Sequence, residues 1–118
     1  MVVVVFRSRM RQDIPEKKMS ELSAMAQRMY ELASDMPGFV SYKDFVAEDG
    51  ENVSIVEFES PETLAAWRDH PEHKLVQARG RADFFAEYHI QVCGPIRDYA
   101  FRWSAESGGH GAGAGPGG

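Results

Sequence analysis

The chain has 118 residues, 43% of them hydrophobic, with 13 Lys and Arg against 18 Asp and Glu for a formal net charge of −5. That length suits one domain, and the acidic balance argues against a nucleic-acid partner. The single cysteine, Cys93, excludes an internal disulfide and a cysteine-rich zinc site.

Val2–Phe6 is a β-branched and aromatic run of the kind found in buried strands. Only five apolar residues follow Met1, with no positive start before them, so no signal peptide is expected. No apolar run approaches the ~20 residues of a membrane helix, and a cytoplasmic protein with no membrane contact is the expectation. Arg7, Arg9 and Arg11 then alternate, so the strand should leave the core near residue 9. Asp13-Ile14-Pro15-Glu16 predicts a helix start with Asp13 as cap and Glu16 completing a capping box. Met19, Leu22, Met25, Met29, Leu32 and Met36 recur every three or four residues, the pattern of an amphipathic helix, and Pro37-Gly38 ends it. These methionines read as core or interface filler.

Phe39–Val46 and Val53–Phe58 read as strands joined by a turn at Glu48-Asp49-Gly50. Strict alternation puts Phe39 and Phe45 on one face of the hairpin and Val40, Tyr42 and Val46 on the other. Ser60-Pro61-Glu62 predicts a second helix capped by Ser60. Pro71 breaks that helix at Asp69-His70, and helix restarts at Pro71 and runs toward Ala82. Phe84–Cys93 is the last strand, with Tyr88, Ile90 and Val92 on one face and His89 on the other; Cys93 reads as a buried, inert thiol. Gly94-Pro95 bends the chain into a short extended arm, Ile96–Trp103. Seven of the 11 glycines lie in Gly108–Gly118 around a lone His110, which divides the chain into a folding unit, residues 1–103, and a glycine-rich disordered tail, residues 104–118.

The order β-α-β-β-α-β is that of a ferredoxin-like α+β fold with a four-stranded antiparallel sheet. Its helices cover one face, yet both faces carry apolar residues, and a chain this short has little room for a deep private site. A second copy of the same sheet is the simplest cover, so a homodimer is expected.

Three stretches carry a family resemblance over roughly residues 2–101: Pro37-Gly38-Phe39 entering the second strand, Glu57-Phe58-Glu59-Ser60-Pro61-Glu62 entering the second helix, and Trp67-Arg68-Asp69-His70-Pro71-Glu72-His73. They resemble the antibiotic biosynthesis monooxygenase (ABM) family. The resemblance implies a dimeric α+β barrel with a pocket in each subunit between sheet and helices. It also implies the family's range of activities, from cofactor-free oxygenation of quinols and phenolic polyketides to haem degradation.

Haem-degrading members combine an Asn on the first strand, a Trp on the second helix and an iron-ligating His about ten residues later. Trp67 matches, but the first strand offers Val5-Phe6-Arg7 and Gln77 stands ten residues after Trp67. An amide is not a usual haem ligand. In the cofactor-free branch a Trp lies near Trp67, a Tyr lies near the position of His73, and an Asn stands four residues before the Trp where this chain has Thr63.

A phenol oxidised without a cofactor needs a base, a donor for the phenolate and a dry pocket. The expected catalytic residues are His73, whose unperturbed pKa near 6.5 suits a base, and Trp67, a core aromatic that also walls the pocket. Tyr42 would line the substrate site, and Arg7 or His70 would steady negative charge; His70, before Pro71, reads equally as a cap. The three-residue spacing of His70 and His73 brings a metal to mind, but Pro71 breaks the helix between them and no acidic third ligand is spaced to join them, so none is expected. The reading is a cofactor-independent monooxygenase acting on a small aromatic molecule. Its alternatives are a non-catalytic dimeric small-molecule-binding protein and a haem-binding protein.

Overall fold

The structure, a computed structural model, describes residues 1–105. The glycine-rich segment with His110 lies outside the described residues, as does all but the start of the tail expected from residue 104. The elements are β1 (Val2–Met10), α1 (Glu16–Asp35), β2 (Phe39–Val46), β3 (Asn52–Phe58), α2 (Pro61–Arg68), α3 (Pro71–Arg79), a wide π-type turn (Gly80–Phe84) and β4 (Phe85–Cys93). The four strands form one antiparallel sheet in the order β2-β3-β1-β4, and the ferredoxin-like fold is as expected. Among the described residues, no helix is long and apolar enough to cross a membrane.

Residues directly opposite each other on neighbouring strands share a face of the sheet. Val2 pairs with Phe58, which pairs with Phe39; Val4 pairs with Val56, which pairs with Tyr42. These rows lie under the helices, where Val2, Val4, Val56 and Phe58 join Met29, Leu32, Ala33, Leu64 and Trp67 in one core. The opposite face carries Val5 beside Ile55 and Arg7 beside Val53.

Phe39 and Tyr42 both pack against the helix-side core, although strict alternation would send them to opposite faces. The register shifts between Phe39 and Ser41, so that Val40 is an extra residue. A bulge of this kind resets which side chains point inward. Phe45 is therefore parted from Phe39, pairs with Val53 on the uncovered face, and is 51% exposed.

Two other expectations are corrected, at Asp13 and at Cys93. Asp13 does not cap α1: the helix begins at Glu16 with Pro15 as its N-cap and no side-chain cap bond. The amides of Lys18 and Met19 turn instead to the Pro15 carbonyl. Helix does run from Pro71 past Ala82 as expected, wound as α-helix to Arg79 and as a π-type turn over Gly80–Phe84. The guanidinium of Arg11 donates to the carbonyls of Arg81, Ala82 and Phe85 at 2.8, 2.9 and 3.1 Å, which draws the chain into the π-type turn and buries Phe84 completely. Cys93 is exposed, because it ends an edge strand on the face that no helix covers. Ile96–Trp103 forms no regular element, and Ile96 is 99% exposed.

Gly38 closes the turn from α1 into β2 with φ +81°, a conformation that costs any other residue free energy. A Cβ there would also stand 2.6 Å from the Thr63 side chain. Gly38→Ala is therefore expected to lower stability by about 2–3 kcal/mol, measured as a reduced urea midpoint with an unchanged m-value.

Candidate functional site

The site forms where α2, α3 and the end of β3 meet. α2 starts at a capping box: the Thr63 amide donates to Ser60 Oγ at 3.2 Å, and the Ser60 amide donates to Thr63 Oγ1 at 3.2 Å. Leu64 and Trp67 lie on the buried side of this helix. Trp67 lies on Phe58, with ring centroids 5.6 Å apart and planes 27° from parallel. Tyr42 meets it edge-on at 6.2 Å.

After Trp67 the chain turns at Asp69-His70 and α3 begins at Pro71. The reversal brings His73 back over Trp67, edge-on at 4.4 Å between ring centroids. Two polar atoms in this contact are buried without a hydrogen-bond partner: Trp67 Nε1 and His73 Nδ1. An indole N–H is a donor only, whereas an imidazole nitrogen accepts when unprotonated. Leaving such atoms unpaired costs about 1–3 kcal/mol each. The two contacting rings thus leave one donor, the indole N–H, and one imidazole nitrogen unsatisfied.

Burial lowers the pKa of His73 from its ordinary 6.5; the backbone of Arg68 and the charge of Asp69 work against that shift, and His70 adds to it. His73 is therefore held in the neutral, accepting form at neutral pH. Burial, with the charge of Asp44, pushes the Tyr42 phenol up to about 12, while a bond with Ser54 opposes it. Tyr42 thus stays protonated at neutral pH.

Of the sequence candidates, the structure brings together Trp67, His73 and Tyr42. His70 is beside them but its Nδ1 is engaged, accepting from the Glu72 amide at 3.1 Å as the cap of α3. Arg7 is on the other face of the sheet, where it forms a two-pronged bond with Glu51 at 3.0 and 3.1 Å, and it does not meet Trp67. His89 pairs with Arg7 in the strand register, on that same face. Phe58, the floor beneath Trp67, was not among the sequence candidates; its place in β3 opposite Val2 and Phe39 identifies it only once the register is known. No group of His, Cys, Asp and Glu that could hold a metal occurs among the described residues. The 360 Å³ groove between α1 and α3 is lined by Met25, Arg28, Glu72, Leu75, Val76 and Arg79.

Residues 1–79 match the family model described as antibiotic biosynthesis monooxygenase. The uncharacterised protein YqjZ of Bacillus subtilis (strain 168) is 30% identical over 77 residues, covering 65% of this chain and 68% of its own. Among solved structures, Rv0793 from Mycobacterium tuberculosis superposes with a TM-score of 0.70 at 23% identity, covering 84% of this chain and 98% of that one. SnoaB, a cofactor-independent oxygenase from Streptomyces nogalater, does so with a TM-score of 0.65 at 16% identity, covering 82% and 94%. At these identities the two structures establish the shared fold.

Trp67 supplies both a packed ring and a bare N–H, and two substitutions separate these. Trp67→Phe keeps most of the ring contact and deletes the unpaired donor, so in the ligand-free protein it should change stability by less than about 1 kcal/mol. Trp67→Ala should cost about 3–5 kcal/mol. Chemical denaturation of both variants measures the difference.

Proposed function

Because the chain belongs to the antibiotic biosynthesis monooxygenase family, we propose that it is a cofactor-independent monooxygenase that oxidises a quinol or phenolic aromatic compound with molecular oxygen. The observation that carries this reading is that two contacting rings, Trp67 and His73, each keep a buried polar atom without a partner, Nε1 and Nδ1. The oxygenase described for SnoaB, which shares the fold, is consistent with it.

In this mechanism a substrate hydroxyl donates its proton to neutral His73 Nδ1. The Trp67 N–H then donates to the oxygen that gains negative charge, as a preformed donor in a water-poor site. Deprotonation pushes electron density onto a ring carbon carrying hydrogen, which forms a bond to oxygen. One oxygen atom stays on that carbon as a carbonyl. The other leaves as water with two hydrogens from the substrate, so the substrate is its own reductant. Phe58 and Tyr42 hold the flat ring by stacking and edge contact.

Thr63 favours a second reading. Its hydroxyl donates to the Ser60 carbonyl at 3.0 Å and accepts from the Ser60 amide, so it is committed to the helix cap where the family resemblance would put a substrate-orienting Asn. A non-catalytic small-molecule-binding protein would use the same aromatic cluster without that group. Haem binding through His73 is a weaker third reading, since Gln77 stands at the ligand position.

We propose further that the functional unit is a homodimer. Val5, Ile55 and Val53 lie on the sheet face that no helix covers, flanked by the half-exposed Phe45, and a second copy would bury them. Light scattering should give about twice 13.2 kDa, and a monomeric mass would overturn the dimer.

Oxygen uptake with a panel of quinols tests the activity. His73→Ala should lower the rate by about 10²–10⁴-fold, and Trp67→Phe by about 10²–10³-fold. Because burial lowers the folded pKa of His73, the base is available well below neutrality. The rate should fall on the acid side with a midpoint under 6.5. The same shift has a stability sign: the unfolded chain takes up this proton first, so stability is fully present above 6.5 and declines as pH falls from there toward the lowered folded value. Ligand binding with no uptake by either parent or variant would favour the binding protein.

A further inference from the structure

His70 lies between two short helices and closes the start of the second. Pro71 opens α3 and has no N–H of its own. The first donor the helix must satisfy is thus the Glu72 amide, and His70 Nδ1 accepts it at 3.1 Å. Hydroxyl, carboxylate and amide caps accept at any neutral pH, but an imidazole nitrogen accepts only while it carries no proton.

The rest of α3 holds its place weakly. None of its residues is buried, Leu75 is 69% exposed, and Val76 alone of the helix packs against the core as a hydrophobic side chain. Arg28 with Glu72 at one end, and Arg79 with Glu21 at the other, tie it to α1. All four side chains are substantially exposed, and exposed ion pairs contribute little and weaken with salt. His73 sits one residue beyond the capped amide, in the same first turn.

We propose that His70 is a positioning residue: its neutral ring fixes the first turn of α3, and with it His73 over Trp67, and its protonation releases α3 from the site. The position of His73 stands on the geometry alone, whereas any effect on turnover rests on the reading of His73 as the base. The charged groups around His70 are Arg68 and Asp69 before it, Glu72, His73 and Lys74 after it, and Arg28 from α1. Asp69 is engaged by Arg68 and Glu72 by Arg28. A proton on His70 Nδ1 would remove the acceptor of the Glu72 amide whatever its surroundings.

The experiment uses the full chain carrying Trp103→Phe, which leaves Trp67 as its one tryptophan. Amide exchange of α3, corrected for its intrinsic pH dependence, and the Trp67 emission maximum are followed between roughly pH 8 and pH 5, the range over which histidines change charge. On acidification the parent should lose α3 protection by about fivefold to tenfold, the size of a lost cap, and its emission should shift to the red. His70→Asn, whose amide caps without titrating, should lose less protection and shift its emission less than the parent does on acidification, the remainder being the contribution of His73. His70→Ala should exchange α3 about fivefold to tenfold faster even at the upper pH. His73→Gln should retain the parent's transition, assigning it to His70. A His70→Asn profile superposable on the parent's, or loss of the transition in His73→Gln, would overturn the proposal. Should His70→Ala fail to fold, the comparison of parent with His70→Asn still decides. None of these readouts needs turnover, so a negative oxygen-uptake assay and a failure of this proposal are told apart.

Discussion

Trp67 lies flat on Phe58, and the remainder of the site is arranged around that contact. Phe58 is fully buried in β3 beneath the helical layer, and its ring stacks on the Trp67 indole. A Trp buried this way contributes several kcal/mol of apolar burial. That gain is large enough to carry an N–H left without a partner, which costs less. The arrangement tolerates an imperfection in polar satisfaction because the ring packing outweighs it.

The short helix pair serves the same contact. A single unbroken helix would carry His73 away along its axis, six residues and nearly two turns beyond Trp67. The break at His70-Pro71 folds the second helix back, and the two side chains meet within 4.4 Å between centroids. The restart needs a cap, and His70 provides it. The histidine nearest the break is thus spent on backbone, which leaves the next one free to face the aromatic ring. Meanwhile α3 lies over the site on exposed ion pairs and one hydrophobic contact, so the part of the fold that covers the candidate site is also its least firmly held helix.

Much of the architecture is legible in the chain because local patterns and global packing agree. The apolar period of α1, the Ser60-Pro61 helix start, the Pro71 break and the strand bounds at Phe39–Val46 all follow from residue chemistry within a few positions. Trp67 and His73 are legible as candidates because a large aromatic and a titratable ring flank a helix break, and the structure brings the two rings into contact. Failures occur where a residue's role depends on a distant partner. The Val40 bulge reverses the facing of Phe39 relative to Phe45, and it depends on how β2 pairs with β3. The change from α to π winding at Gly80 accompanies Arg11, some seventy residues earlier, binding the carbonyls of that turn. Arg7 as a substrate anchor fails to meet Trp67 because β1 has two faces and Arg7 is on the uncovered one.

By itself, then, the amino-acid order determined the element sequence, the antiparallel α+β fold and the family to which the chain belongs. The first two follow from periodicity, capping chemistry and helix breaking, which act over one to four residues and leave their mark in the local pattern. The tertiary structure alone decided which of the candidates meet, that Trp67 and His73 each keep an unpaired polar atom, and that His70 turns its nitrogen to a backbone amide. Those outcomes depend on through-space neighbours set by strand register and by the angle between two short helices. A short-range pattern carries no record of either, because the partners that satisfy a buried polar atom are chosen by packing across the whole domain.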